Sequence, residues 1–163
     1  MIAIPDMQIM ILLLKQNQLQ LLRLTYDKII IPTSYISEFS GAKLDTPLLE
    51  GWLEIFDPDF EHLMHVDQAE SKTGIKLSVS EEACLALALQ NKAIVLTEDR
   101  ENHTVAKLLN LEIEGISQII IRACKSNKIS KETSIKLLRE IHNSIAPIIT
   151  SYINIEEQLV KSL

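Results

Sequence analysis

The chain predicts an α/β fold: a three-layer α/β/α sandwich around a central, mostly parallel sheet of four or five strands, with a helical C-terminal flank. Two observations carry that expectation. Short apolar, β-branched runs alternate with helical stretches long enough to serve as crossovers, which is the pattern of a parallel sheet covered on both faces. Apolar residues make up 47% of the 163 positions and charged residues 23%, a balance that excludes disorder, while aromatics reach only 4%, so the core must be built from Ile, Leu and Ala.

Taken in order, Met1–Ile4 is the first strand candidate, closed by Pro5-Asp6. Met7–Lys15 follows as a helix so continuously apolar that a central position is expected, and Leu19–Thr25 adds a shorter one. Lys28–Ile31 is a buried strand, because the β-branched run Ile29-Ile30-Ile31 favours extended backbone; Pro32 stops it and a helix is expected over Thr33–Phe39. Gly41, Pro47, Gly51 and Pro58 mark turns in the least regular stretch, which holds a short strand at Leu53–Phe56 and then a helix from Glu61 to Lys72. Ser78-Val79-Ser80-Glu81 has capping-box spacing before Glu82–Gln90, and Ala83, Ala86 and Ala88 let that helix lie close to a sheet. Ala93–Leu96 is a strand, His103–Leu109 a helix and Leu111–Glu114 a strand that leaves tightly through Gly115. Helices then follow at Ser117–Lys125, Lys131–Ser144 and, past Pro147, Ile148–Leu163. One domain over 1–163 is the economical description, with a core at 1–130 and a C-terminal helical extension at 131–163.

The formal charge of −6 argues against broad coating of nucleic acid, but it is unevenly spread. Residues 1–100 carry fifteen acids and eight bases, whereas between Arg122 and Arg139 six bases face Glu132 alone. Within that stretch Lys125, Lys128 and Lys131 are candidate contacts to a phosphate backbone, or simply a solvated helical surface. Cys84 and Cys124, each in an apolar helical stretch, read as free core thiols in a reducing interior. The uncharged run Met7–Leu14 is too short to cross a bilayer and has no basic residue before it, so no membrane association and a cytoplasmic location are expected.

The chemistry concentrates in acids that follow strands or open helices. Val95-Leu96-Thr97-Glu98-Asp99-Arg100 ends an apolar strand in a polar tip, and Asp6, Glu38 and Glu81 occupy comparable positions. Four carboxylates drawn to one cleft repel one another unless a divalent cation or protons compensate them. Each also has a local explanation: Asp6 as a helix N-cap, Glu81 as a capping-box residue, Glu38 as an exposed helical acid, and Asp99 as a helix-start acid. The four histidines and two cysteines show no zinc-ligand spacing.

In this order the motifs resemble the PIN-domain family of nucleases, in particular its bacterial and archaeal branch of predicted nucleic-acid-binding proteins related to toxin ribonucleases. The resemblance rests on Asp6-Met7-Gln8 opening an apolar helix that ends at Lys15, on Ile31-Pro32 followed by Glu38, on Ser80-Glu81-Glu82-Ala83-Cys84-Leu85-Ala86-Leu87-Ala88, and on Glu98-Asp99-Arg100 followed by Val105-Ala106. It covers residues 1 to about 130. Gln8 stands where the family usually has Ser or Thr, Ser80 replaces Gly, Ala83 takes the place of an additional Glu, and Glu98 replaces the first of two Asp residues.

The resemblance implies a metal-dependent endoribonuclease that leaves a 5′-phosphate and a 3′-hydroxyl, with Mg²⁺ or Mn²⁺ as cofactor, and with a toxin–antitoxin role in view. Asp6 and Asp99 would be metal ligands, Glu38 would hold a water on the metal, and Glu81 would complete the acid cluster. Gln8, Thr97 and Arg100 would support those acids or meet substrate. RNA is the implied substrate, an antitoxin protein and a second copy of the chain the implied partners. A non-catalytic RNA-binding or regulatory module and a structural interaction subunit are the alternatives, the latter suggested by apolar stretches at Ile145–Ile149 and Ile153–Leu163.

Overall fold

The computed structural model describes residues 1–39, 44–145 and 158–163. Five strands form one fully parallel sheet: β1 (Ile2–Pro5), β2 (Lys28–Ile31), β3 (Leu53–Ile55), β4 (Ile94–Leu96) and β5 (Ile113–Glu114), in the spatial order β3-β2-β1-β4-β5. Among the described residues the helices are α1 (Met7–Lys15), α2 (Gln20–Thr25), α3 (Asp45–Leu49), α4 (Phe60–Thr73), α5 (Val79–Asn91), α6 (Arg100–Leu108), α7 (Ile116–Lys125) and α8 (Lys131–Ile145).

Strand side chains alternate between the two faces, and that alternation builds two cores. Ala3, Ile29, Ile31, Ile94 and Leu96 pack on one side with Met10 and Leu13 of α1, Leu22 of α2, Ile119 and Ile120 of α7, and Leu138 of α8. Ile4, Ile30 and Val95 point the other way, onto Val66 of α4, Leu85 and Leu87 of α5, and Val105 of α6. The result is the predicted three-layer arrangement. Ala86 and Ala88 are fully buried on α5, which packs against β1 and β4.

Several expectations need correction. Helix α1 has the predicted bounds but is not buried all round. Only Ile9, Met10 and Leu13 are buried, Ile11 and Leu12 are half-buried, and Gln8 and Lys15 are exposed. The expected helix over Thr33–Phe39 is a single 3₁₀ turn, Thr33–Tyr35, followed by further turns. Its core contact is Tyr35, fully buried, whose hydroxyl reaches the Pro5 carbonyl oxygen at 3.3 Å, so one anchored aromatic replaces a helical stripe. Helix α3 falls where only turns were expected. Gly115 adopts ordinary extended backbone, φ −92°, so its need is for space: a Cβ there would lie 2.6 Å from Glu98 Oε1. The turn at Gly41, the stretch Ile145–Ile149 beyond its first residue, and residues 148–157 of the expected last helix lie outside the described residues. Residues 158–162 are helical, with Val160 buried in the first core.

Candidate active site

The strand order reverses direction between β1 and β4, so a crevice opens beyond their carboxyl ends, the usual ligand position in an open parallel sheet. Asp6 and Thr97 are the residues that leave those two strands. The Asp6 backbone N–H continues the ladder to the Leu96 carbonyl at 2.8 Å, and its side chain turns to cap α1, Oδ1 accepting from the Ile9 N–H at 2.7 Å. Thr97, also buried, donates its hydroxyl hydrogen to Asp6 Oδ2 and accepts the Asp99 N–H at 3.0 Å.

Asp6 is only 2% exposed. Burial pushes its carboxyl up to about 6, the nearby Asp99 and Glu81 carboxylates add to the rise, and the hydrogen bonds from Ile9 and Thr97 pull the other way. The sheet thus holds an acid where ionisation is costly, beside two further acids.

Asp99 caps α6, its Oδ1 accepting the N–H groups of Glu101 at 2.8 Å and Asn102 at 2.9 Å. Glu81 completes the predicted capping box on α5. The Ser78 hydroxyl accepts the Glu81 N–H at 3.3 Å, while Glu81 Oε2 accepts from the Ser78 N–H at 2.8 Å and from its hydroxyl at 2.6 Å. Helix N-termini favour such carboxylates electrostatically, so capping and clustering are compatible at both positions.

A cavity of about 600 Å³ opens beside these acids. Asp6, Glu38, Glu81 and Glu98 supply its negative charge, while Met7, Ile11 and Leu12 form an apolar wall along α1 that runs to the basic Lys15. The exposed Gln8 also lines it. Asp6, Glu81, Asp99 and Thr97 are therefore gathered at one end of the sheet, with Glu38 facing the same cavity from the turn after β2. Glu98 is committed as well: its Oε1 accepts the Ile116 N–H at 2.6 Å, capping α7. Arg100 is exposed on the first turn of α6 and makes no ion pair among the described residues. Helix α7 leaves the carboxyl end of β5 and packs along α2, the helix preceding β2, and neither Lys125 nor Lys128 lines the cavity. Arg122 is held by Glu114 and Glu112, with Tyr26 donating to the same buried Glu114 at 2.5 Å.

Sequence reasoning missed Asn102 and His103. Asn102 is 2% exposed and donates from its side-chain amide to Glu81 Oε1 at 3.3 Å; His103 Nε2 lies 3.3 Å from the Thr97 carbonyl oxygen. The signal for Asn102 is its spacing from Val105 and Ala106, three and four residues on, which places it on the buried stripe of α6. An amide on an apolar stripe needs a partner.

Oxygen donors and a carboxyl held above its ordinary range suit a hard divalent cation, whose positive charge favours the ionised acids. Among the described residues no three His, Cys, Asp or Glu side chains converge into a ready ligand shell. The donor chemistry fits a cation, and each acid is also committed to a helix cap. Cys84 is fully buried, and burial raises its thiol far above the ordinary range, so it belongs to the core. No helix among the described residues is long and apolar enough to cross a membrane.

A family model described as a PIN domain matches residues 2–152. The endoribonuclease Nob1 of Methanocaldococcus jannaschii is 42% identical over 67 residues, which are 41% of this chain and 34% of that protein. The ribonuclease VapC1 of Thermoplasma acidophilum is 35% identical over 94 residues, 55% of this chain and 48% of that protein. The chain thus spans about a third and about half of the curated relatives it matches. Among solved structures, VapBC-1 from nontypeable Haemophilus influenzae superposes with a TM-score of 0.52 at 16% identity, covering 71% of this chain and 98% of that one. VapBC2 from Rickettsia felis, bound to a DNA fragment from its promoter, gives 0.50 at 16% identity with the same coverage. At that identity the likeness is one of fold.

Proposed function

The chain belongs to the PIN-domain family, and from that premise we propose that it is a metal-dependent endoribonuclease. The observation that carries this reading is the buried Asp6, raised to about 6 by its surroundings and flanked by Asp99 and Glu81 beyond the carboxyl ends of β1 and β4. A fold pays to hold acids this way when a cation or a proton takes part in the chemistry. The two curated ribonucleases among the relatives support the substrate class.

Asp6, Asp99 and Glu81 would hold Mg²⁺ or Mn²⁺, with Glu38 facing them across the cavity. The cation supplies charge compensation and an activated water. The chain's own residues do the rest. Ile9 N–H and Thr97 fix both oxygens of Asp6, so its carboxylate presents one orientation. Ser78 fixes one oxygen of Glu81, Oε2. Glu38 orients the attacking water, Gln8 bonds substrate at the cavity rim, and Arg100, without an ion pair among the described residues, meets substrate phosphate. The cavity is large enough for a nucleotide, and its apolar wall on α1 excludes water from one side of the scissile bond.

The solved VapBC neighbours suggest an antitoxin protein as partner; the resemblance adds a homodimer, while chain length and composition favour a single domain over 1–163 and a cytoplasmic location. Incubation of a broad RNA panel with the protein and Mn²⁺ tests the central proposal. Asp99→Asn, which preserves the α6 cap, should abolish cleavage. Equal cleavage by the variant would remove the assignment.

A further inference from the structure

Asn102 makes two separate attachments to the acidic end of the sheet. Its backbone N–H donates to Asp99 Oδ1 at 2.9 Å, and its side-chain amide donates to Glu81 Oε1 at 3.3 Å. One residue on α6 therefore touches carboxylates that open two different helices, α6 and α5. The second oxygen of Glu81 is taken by Ser78, so Asn102 decides where the first one faces. The amide orientation is not arbitrary: a carboxylate only accepts, so the NH₂ must face Glu81 and the carbonyl oxygen must face away.

That carbonyl oxygen, Asn102 Oδ1, is buried and without a hydrogen-bond donor among the described residues. A buried acceptor left without a donor is destabilising. Leucine at this position, beside Val105 and Ala106 on the buried face of α6, would bring packing and no orphan. Stability alone does not account for the amide.

We propose that Asn102 is a positioning residue that clamps Glu81 to Asp99, holding the two carboxylates in register for the cation. This deepens the nuclease reading and rests on it. Asn102 touches neither substrate nor cation; it acts through Glu81.

The test is a double-mutant cycle on Asn102→Leu and Glu81→Gln in the full chain, read by Mn²⁺ calorimetry, RNA cleavage and thermal denaturation. Asn102→Leu should fold, with a melting temperature equal to or above that of the parent. It should weaken Mn²⁺ binding or kcat about 10-fold or more, the scale of losing a group that orients a ligand. In the Glu81→Gln background the same change should have little further effect, because the group through which it acts is gone. Unchanged Mn²⁺ affinity and cleavage in Asn102→Leu, or a loss that adds fully to that of Glu81→Gln, would overturn the clamp and leave the nuclease reading standing. A parent protein that neither binds Mn²⁺ nor cleaves RNA would overturn both.

Discussion

Thr97, the first residue beyond β4, gives its hydroxyl hydrogen to the Asp6 carboxylate at the end of the adjacent strand β1. The two are 91 positions apart in sequence, and the parallel register Pro5↔Leu96 brings them side by side. Because Thr97 also accepts the Asp99 N–H, one hydroxyl links two of the acids. Thr97→Val keeps shape but leaves Asp6 Oδ2 short of a donor. The expected cost is about 1–3 kcal/mol in denaturant unfolding, with the Asp6 carboxyl rising further because a lowering influence is lost. An unfolding midpoint equal to that of the parent would mean that this bond is not formed in solution.

Asp6 also sets a pH dependence. Its carboxyl titrates near 6 in the folded chain against an ordinary 3.8, so folding favours the neutral acid. The stability it contributes is complete below about 4 and is lost as pH rises through about 6, a difference of roughly 3 kcal/mol. Asp6→Asn should remove this slope, measured as the difference between the two stability–pH curves from 3.5 to 7.5. Parallel curves would contradict it. Cleavage should show the opposite trend and rise through the same window, because the ionised carboxylate is the form that holds a cation.

Glu81 separates stability from chemistry. Its capping box is worth about 1 kcal/mol, so Glu81→Gln, which keeps most of the cap, should lower unfolding stability by less than that. Cleavage should fall at least 100-fold. A loss of activity no larger than the loss of folded protein would reduce Glu81 to a cap.

At Gly115 the added methyl of Gly115→Ala would meet Glu98 Oε1 at 2.6 Å and displace it from the Ile116 N–H. Destabilisation of about 1 kcal/mol, the scale of a lost N-cap, is expected. Glu98→Ala should cost a similar amount, and the pair should cost little more than either alone. Full additivity in urea titrations would show that the two positions act independently.

Much of this was legible in the sequence because local chemistry wrote it there. Ser78-Val79-Ser80-Glu81 announced a capping box that forms, and the β-branched run Ile29-Ile30-Ile31 announced β2. Asp6 was legible as the N-cap of α1, which forms. What escaped was non-local. A single 3₁₀ turn after Pro32 suffices because Tyr35 is anchored beneath β1, a contact across 30 positions that no helical period encodes. Asn102 and Glu81 lie 21 positions apart on different helices, so their bond depends on how α5 and α6 pack. Lys125 and Lys128 stood out by charge alone as candidate phosphate contacts, and α7, packed along α2, leaves neither of them in the cavity lining.

That placement gives a further expectation. Charge reversal at Lys125 and Lys128 should leave cleavage of a short single-stranded RNA within about twofold of the parent at low salt, because neither side chain lines the cavity. A large loss on the short substrate would place these lysines on the RNA path after all.

The most direct measurement of the central claim compares the parent with Asp6→Asn for Mn²⁺-dependent RNA cleavage, with chelator controls. Asparagine is as good an N-cap as aspartate, so α1 should remain capped while the anionic ligand is lost. A parent that cleaves only with the cation, and a folded variant slower by at least 100-fold, is the predicted result. Equal, cation-independent cleavage by both proteins would contradict the account.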